Sequence, residues 1–183
     1  MIAADQKLFL MLNADKDAYV WLVDAGRFLA IHAHWLLLLL LAGLAVHRWR
    51  QQLLRPAFAA LVAAALGSIA CELIGEVWDR PRPVELGLGH QHVRSSFGPS
   101  FPSSHATVYS ALAFSFLFAA NCRAVGCALL VLASLVSIAR VVVGVHYPLD
   151  IAAGMAIGGL AAVAAHALTT RLGKHFHLHP GPP

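Results

Sequence analysis

The sequence predicts an all-α, polytopic membrane bundle: five spans plus an N-terminal interfacial helix, giving a six-helix core. Three observations lead there. Of the 183 residues, 59% are hydrophobic and only 12% charged, with a mean hydropathy of +0.70, far from the composition of an ordinary soluble domain. Apolar runs recur at about the 20-residue length that a helix needs to cross the hydrocarbon core. The basic residues gather beside alternate runs, as they do where arginine and lysine hold loops on the cytoplasmic side.

Taken in order, Lys7–Phe28 mixes Leu8, Phe9, Leu12, Trp21 and Val23 with charges, which suits a helix lying in the interface. No cleavable signal peptide is expected, because Met1–Arg27 mixes Asp5, Lys7, Asp15, Lys16, Asp17 and Asp24 with apolar residues and lacks a charged-then-apolar order. The first span runs from Phe28 to Val46, with His32 and His34 near its interfacial end. The stretch His47–Arg55 carries three arginines and no acid and reads as a cytoplasmic loop. Pro56 then opens the second span, Ala57–Val77, because proline is tolerated in a first helical turn. Glu72 and Glu76 lie one helical turn apart near its far end and so share a face.

Asp79–Ser104 has proline and glycine breakers and no sustained period, so it is a long loop. Loops of that length inside a compact unit are usually functional or disordered. The third span, Ser104–Ala120, is short; the fourth is Ala124–Val143 and the fifth is Pro148–Leu168. Gly154 and Gly158 in the fifth form a small-xxx-small pair that favours close helix packing within the chain. A single integral membrane domain is expected: residues 1–27 at the interface, 28–168 as the core and 169–183 as a cytoplasmic tail.

Counted from the arginine-rich loop, Arg123, Arg171 and Lys174 fall on the inner side and the N-terminus on the outer side. Asp79–His105 and Arg140–Asp150 therefore meet at one outer face. The formal charge of +4 comes without an aromatic-interleaved basic patch, so a nucleic-acid partner is not expected. Cys71, Cys122 and Cys127 have no ligand spacing and read as small buried hydrophobes. The alternating His175, His177 and His179 read as a solvated tail.

Ionisable residues within a membrane sequence are costly and mark functional sites. Ser104 as N-cap of the third span would put His105 in the first turn, where unpaired amides and the helix dipole attract anions. Pro148 at the first position of the fifth span puts Asp150 in its first turn, with His146 just outside and within reach of the carboxylate. Arg80, Arg82 and Arg140 supply guanidinium forks shaped for phosphate oxygens. No oxygen-rich metal cage is visible, and neither a metal nor another cofactor is expected. Two histidines, a carboxylate and several arginines suit metal-free phosphoryl transfer, one histidine attacking phosphorus and the other protonating the leaving oxygen.

Arg82-Pro83, then Pro102-Ser103-Ser104-His105, then Arg140 with His146 and Asp150, resemble the three signature motifs of the type 2 phosphatidic acid phosphatase superfamily. The resemblance covers roughly Phe28–Leu168. It implies His146 as nucleophile, Asp150 as its partner and His105 as the acid that later becomes the base. It also implies Arg82, Arg140, Ser103 and the Ser104 amide as the phosphate cradle. Two positions depart from the pattern: Gly75 stands where the family usually has lysine, and Ala139 where it usually has serine. Arg80 is expected to replace the lysine's charge.

Within the superfamily the RPRP run, the second and third motifs and the short chain look most like the bacitracin-resistance-type undecaprenyl-diphosphate phosphatases. That resemblance implies a polyprenyl diphosphate substrate, hydrolysed at the outer face of the bacterial inner membrane. Alternatives are a phosphatase for phosphatidylglycerol phosphate, phosphatidate or lipid A, or a lipid phosphotransferase. A non-catalytic transporter or scaffold is a third class, although the chain lacks duplicated halves. Oligomeric state is left open by the sequence.

Overall fold

The computed structural model describes residues 2–46, 50–94 and 98–176. Among them the regular elements are helices: α1 (Ile2–Leu12), α2 (Val20–Val46), α3 (Arg50–Val77), α4 (Ser104–Phe118), α5 (Arg123–Val142) and α6 (Pro148–Phe176). Short 3₁₀ turns occupy Pro83–Leu86 and Ala120–Cys122. Three helical stretches, Leu53–Val77, Ala120–Val142 and Pro148–Arg171, are long and apolar enough to cross a membrane. Their outer faces expose Leu54, Leu61, Val131, Ile138 and Leu160, apolar surface too extensive for a protein facing water. This is a multi-pass membrane protein.

The shortest of the long helices, α4, is the centre of the bundle, with α3, α5 and α6 packed around it. Small residues make that possible. Ala63, Ala111, Ala162 and Ala165 form a fully buried seam between α3, α4 and α6. Leu53, Leu112, Phe116, Cys122 and Leu129 fill the bundle further from the Asp79–Ser103 loop. Polar residues on α4 are satisfied locally: Thr107 donates to the Ser103 carbonyl at 3.1 Å, Ser110 to Ala106 at 2.6 Å and Ser115 to Ala111 at 2.7 Å. The expected glycine pair is the contact itself. A Cβ at Gly154 would stand 2.6 Å from the Ser103 carbonyl oxygen, and one at Gly158 would stand 2.3 Å from that of Thr107.

The N-terminal expectation needs correction. Lys7–Phe28 is not one interfacial helix, because α1 ends at Leu12 and α2 already begins at Val20. Asn13 separates them: its side-chain nitrogen donates to the carbonyls of His90 and Val142, both at 2.9 Å, and its oxygen accepts from the His90 amide at 2.6 Å. The charges at the start of α2 do not stop the helix, since Asp24 pairs with Arg27 at 3.6 Å and Arg27 donates to the His92 carbonyl at 2.9 Å. Nor does α1 only skim a surface; its Asp5 and Phe9 are buried.

Pro56 also departs from expectation, lying inside α3 rather than at its start. The preceding turn is held by Leu53, which packs into the core, so tertiary burial outweighs the hydrogen bond that proline removes. The last helix continues past Leu168, where Thr169 and Thr170 return their hydroxyls to the Ala165 and His166 carbonyls at 2.9 and 2.7 Å. Glu72 and Glu76 do share a face, and it is an exposed one. Cys71 and Cys122 are buried as expected, whereas Cys127 is exposed. The basic turn at 47–49 and the tail histidines 177 and 179 lie outside the described residues.

Candidate active site

The loop after α3, the start of α4 and the turn between α5 and α6 converge at one end of the bundle. Their convergence is set locally. Gly144 turns the chain after α5 with φ +82°, and a Cβ there would stand 2.2 Å from the His90 carbonyl, so glycine alone fits both the backbone and the neighbour. His146 follows within that turn. Ser103 rather than Ser104 caps α4: it is extended and its Oγ accepts from the Ala106 amide at 3.5 Å. The helix therefore begins at Ser104, and the amides of Ser104 and His105 belong to the first turn, where no intrahelical acceptor exists. Ser103 is fully buried beneath this cap and Ser104 is exposed.

Pro148 is the first residue of α6, as expected, and Asp150 stands in its first turn. Asp150 Oδ2 accepts from the Tyr147 amide at 2.9 Å, half of a capping box. The other half comes from another helix. Tyr147 has no short oxygen side chain to cap the next amides, and Asp5 of α1 supplies one: its Oδ1 accepts from the Leu149 amide at 2.9 Å.

The expected direct bond from Asp150 to His146 is not formed, for Oδ2 lies 3.6 Å from Nδ1, beyond hydrogen-bond reach. Ser100 stands between them. Its carbonyl accepts from His146 Nδ1 at 2.8 Å, and its hydroxyl donates to Asp150 Oδ2 at 2.5 Å. The Ser100 backbone N–H donates to the Arg80 carbonyl at 2.7 Å and fixes the residue further. The carbonyl holds the proton on Nδ1, which leaves Nε2 with its lone pair; Nε2 makes no hydrogen bond among the described residues. Ser100 is the site residue that sequence reasoning missed, and nothing in its loop context singles out one serine among several.

Arg82 is 7% exposed and Arg140 8%. Arg82 donates from Nε to the Gly98 carbonyl at 3.0 Å, with longer contacts to Val145 and Pro99. Arg140 touches the Ala30 carbonyl at 3.4 Å, and its buried Nε has no hydrogen-bond partner among the described residues. A guanidinium has five N–H donors, so each side chain retains unused donors. Among the described residues Arg140 also has no carboxylate partner. Buried cations without counter-charges are expensive, and here their spare donors suit an anion.

Arg80 is arranged differently from the expectation that it replaces a phosphate-binding lysine. Its two terminal nitrogens go to carboxylates, one to Asp150 and one to Asp5, both at 2.6 Å. Its guanidinium also lies over the Tyr147 ring, 4.0 Å from the centroid. At Gly75, where the lysine would stand, a Cβ would come 2.9 Å from Pro99. The loop that carries Ser100 occupies that space instead.

Burial holds the His146 imidazole below the ordinary histidine range; Arg140 and Arg82 push the same way, while Asp150 opposes. The neutral form is thus the resting one. The unfolded chain takes up a proton near pH 6.5 that the folded chain refuses, so this contribution to stability is intact above that pH and is lost as pH falls below it. Thermal unfolding of detergent-solubilised protein should show a lower melting temperature at pH 5 than at pH 7, and His146→Asn should reduce that difference.

A helix start, two buried arginines and an imidazole held through Nδ1 are brought together at one end of a membrane protein, an arrangement able to hold an anion beside a nitrogen lone pair. The chain belongs to the PAP2 superfamily, whose model matches residues 56–174. It is 28% identical over 177 residues to YbjG of Escherichia coli (strain K12), whose name places it provisionally among the undecaprenyl-diphosphatases; the match covers 93% of this chain and 85% of YbjG. It is 30% identical over 96 residues to undecaprenyl-diphosphatase BcrC of Bacillus subtilis (strain 168), covering 52% of this chain and 49% of BcrC. Among solved structures, LpxE of Aquifex aeolicus has the same fold, with a TM-score of 0.71 at 21% identity over 88% of this chain and 93% of LpxE.

Proposed function

We propose that this protein is a lipid diphosphate phosphatase that hydrolyses undecaprenyl diphosphate to undecaprenyl phosphate and inorganic phosphate without a metal. The names of YbjG and BcrC support the substrate. The observation that carries the chemistry is the placing of His146, whose Nδ1 is held by the Ser100 carbonyl so that Nε2 keeps its lone pair, with two buried arginines whose N–H donors are not all used among the described residues.

In this reading Arg82, Arg140 and the Ser104 amide hold the oxygens of the terminal phosphate, with Ser103 fixing the turn that presents that amide. His146 Nε2 attacks phosphorus. His105 takes up a proton when the negative diphosphate enters beside it; a P–N bond then forms as the P–O bond to the lipid phosphate breaks, and His105 gives that proton to the departing oxygen. Water then attacks the phosphohistidine, giving its proton to His105 and releasing phosphate. Throughout, Ser100 keeps the Nδ1 proton in place, so the same nitrogen attacks in every cycle. The arginines and the helix start stabilise charge as it spreads over the phosphoryl oxygens.

The same reading places five spans across the bacterial inner membrane, with α2 and α4 completing the set and the site at the outer face. A long apolar chain can then stay in lipid while its headgroup enters between the helix starts. Purified protein should release phosphate from undecaprenyl diphosphate faster than from phosphatidylglycerol phosphate, phosphatidate or lipid A, and saturating chelator should change the rate by less than twofold. Preference for another lipid would reassign the substrate. Loss of activity in chelator would count against the histidine mechanism.

A further inference from the structure

We propose that Asp5, on the N-terminal helix, is a positioning residue for the nucleophile and acts through Arg80, Asp150 and Ser100. This rests on the phosphatase reading of the site and extends it to a segment outside the residues matched by the family model, 56–174.

The contacts form a continuous chain. Asp5 is 8% exposed, although it sits in the first turn of a helix that otherwise exposes Leu8, Leu10 and Met11. A carboxylate is buried at such a place only when paired, and Asp5 has two partners. Its Oδ1 caps α6 at the Leu149 amide, and its Oδ2 binds Arg80 at 2.6 Å. The other terminal nitrogen of Arg80 binds Asp150 at 2.6 Å. Asp150 then receives the Ser100 hydroxyl, and the Ser100 carbonyl holds His146. Phe9, one turn beyond Asp5, anchors the helix edge-on against Tyr147 with ring centroids 5.4 Å apart.

Arg80 has two carboxylates and one cation between them, so the Asp5 charge decides where the guanidinium rests. With Asp5 ionised, the fork is stretched between α1 and α6, and Asp150 is held with one oxygen on Arg80 and the other on Ser100. Without that charge Arg80 is free to swing fully onto Asp150, competing with Ser100 for the carboxylate. The Ser100 carbonyl and the imidazole it holds then lose their fixed orientation. The effect falls on the chemical step, because Asp5 touches no part of the phosphate cradle.

Asp5→Asn tests this, since the amide oxygen can still cap Leu149 while the charge on Arg80 is lost. Asp5→Ser is a second variant that removes the charge with a shorter polar side chain. For either, with activity normalised to folded protein by thermal unfolding, kcat is expected to fall about tenfold with KM changed less than twofold. Asp5→Glu should recover kcat to within about threefold. In a Ser100→Ala background the Asp5→Asn effect should shrink to less than twofold, because the link it acts through is already cut.

A kcat within twofold of wild type in both charge-removing variants overturns the inference. So does a full tenfold effect that persists in the Ser100→Ala background, which would show that Asp5 supports the fold independently of Ser100. A wild-type protein that releases no phosphate from any lipid phosphate overturns the phosphatase reading and this inference with it. An active wild type with an indifferent Asp5 overturns the inference alone.

Discussion

Replacing His146 with alanine is expected to lower phosphate release by about 10⁴-fold or more, the scale on which loss of a covalent nucleophile acts. The expectation follows from what surrounds the ring. Nδ1 is committed to Ser100, Nε2 has no partner among the described residues, and the neighbouring cations are those that a phosphate would neutralise. Binding should survive better than turnover, because Arg82 and Arg140 do not depend on the imidazole for their positions. Measured on protein that elutes as a single folded species, His146→Ala should retain affinity for substrate while losing kcat. A transporter or lipid-binding scaffold would show unchanged function in the same variant, so this one measurement separates the two classes. His146→Asn adds a finer point, since its amide nitrogen can donate to Ser100 as Nδ1 does. If activity required only that donor, Asn would rescue; the nucleophilic role predicts that it will not.

The residues that converge on the candidate site were legible in the sequence because membrane composition makes them conspicuous. An arginine, histidine or aspartate among alanine, valine and leucine needs a reason, and the helix-start signals at Ser104 and Pro148 placed His105, His146 and Asp150 at helix ends. The glycine pair of the fifth span was legible for the same reason, as backbone exposed in a run of larger residues. What could not be read was which polar atom meets which. Ser100 is one of several serines in its loop, and only the folded turn brings its carbonyl to His146. Asp5 lies more than 140 residues from Leu149 in sequence, and a single acid in a short apolar helix gives no sign of the arginine it will meet. Arg80 was legible as a needed charge and misread in direction, because its partners are carboxylates from two helices rather than a phosphate. The boundaries of α1 and α2 failed on Asn13, whose hydrogen bonds to the His90 region end one helix through tertiary contact rather than local propensity.

Gly158→Leu is expected to destabilise the protein by about 3 kcal/mol or more, at the upper end of the cost of overpacking a closed core. The Cβ alone would stand 2.1 Å from the Ser110 hydroxyl, 2.3 Å from the Thr107 carbonyl oxygen and 2.9 Å from the Ala111 amide. Two of those atoms are backbone, so no rotamer change relieves the contact and α6 has to move away from α4. That movement reaches the site. One turn closer to it, Gly154 lies against the Ser103 carbonyl, and the Asp150 carbonyl accepts from the Ser103 amide at 3.1 Å. The α4 start that carries Ser104 and His105 is thereby fixed to the α6 start that carries Asp150, and separating the helices pulls both halves of the site apart. Gly159→Ala provides the matched comparison, because its Cβ would meet only the Phe114 ring at 3.4 to 3.5 Å. That is ordinary contact, and replacing glycine by alanine within a helix favours folding by about 1 kcal/mol. Thermal unfolding in detergent should therefore separate adjacent glycines in opposite directions, with phosphate release lost in Gly158→Leu and kept in Gly159→Ala. Equal effects at the two positions would mean that α4 and α6 do not approach as closely as their glycines allow.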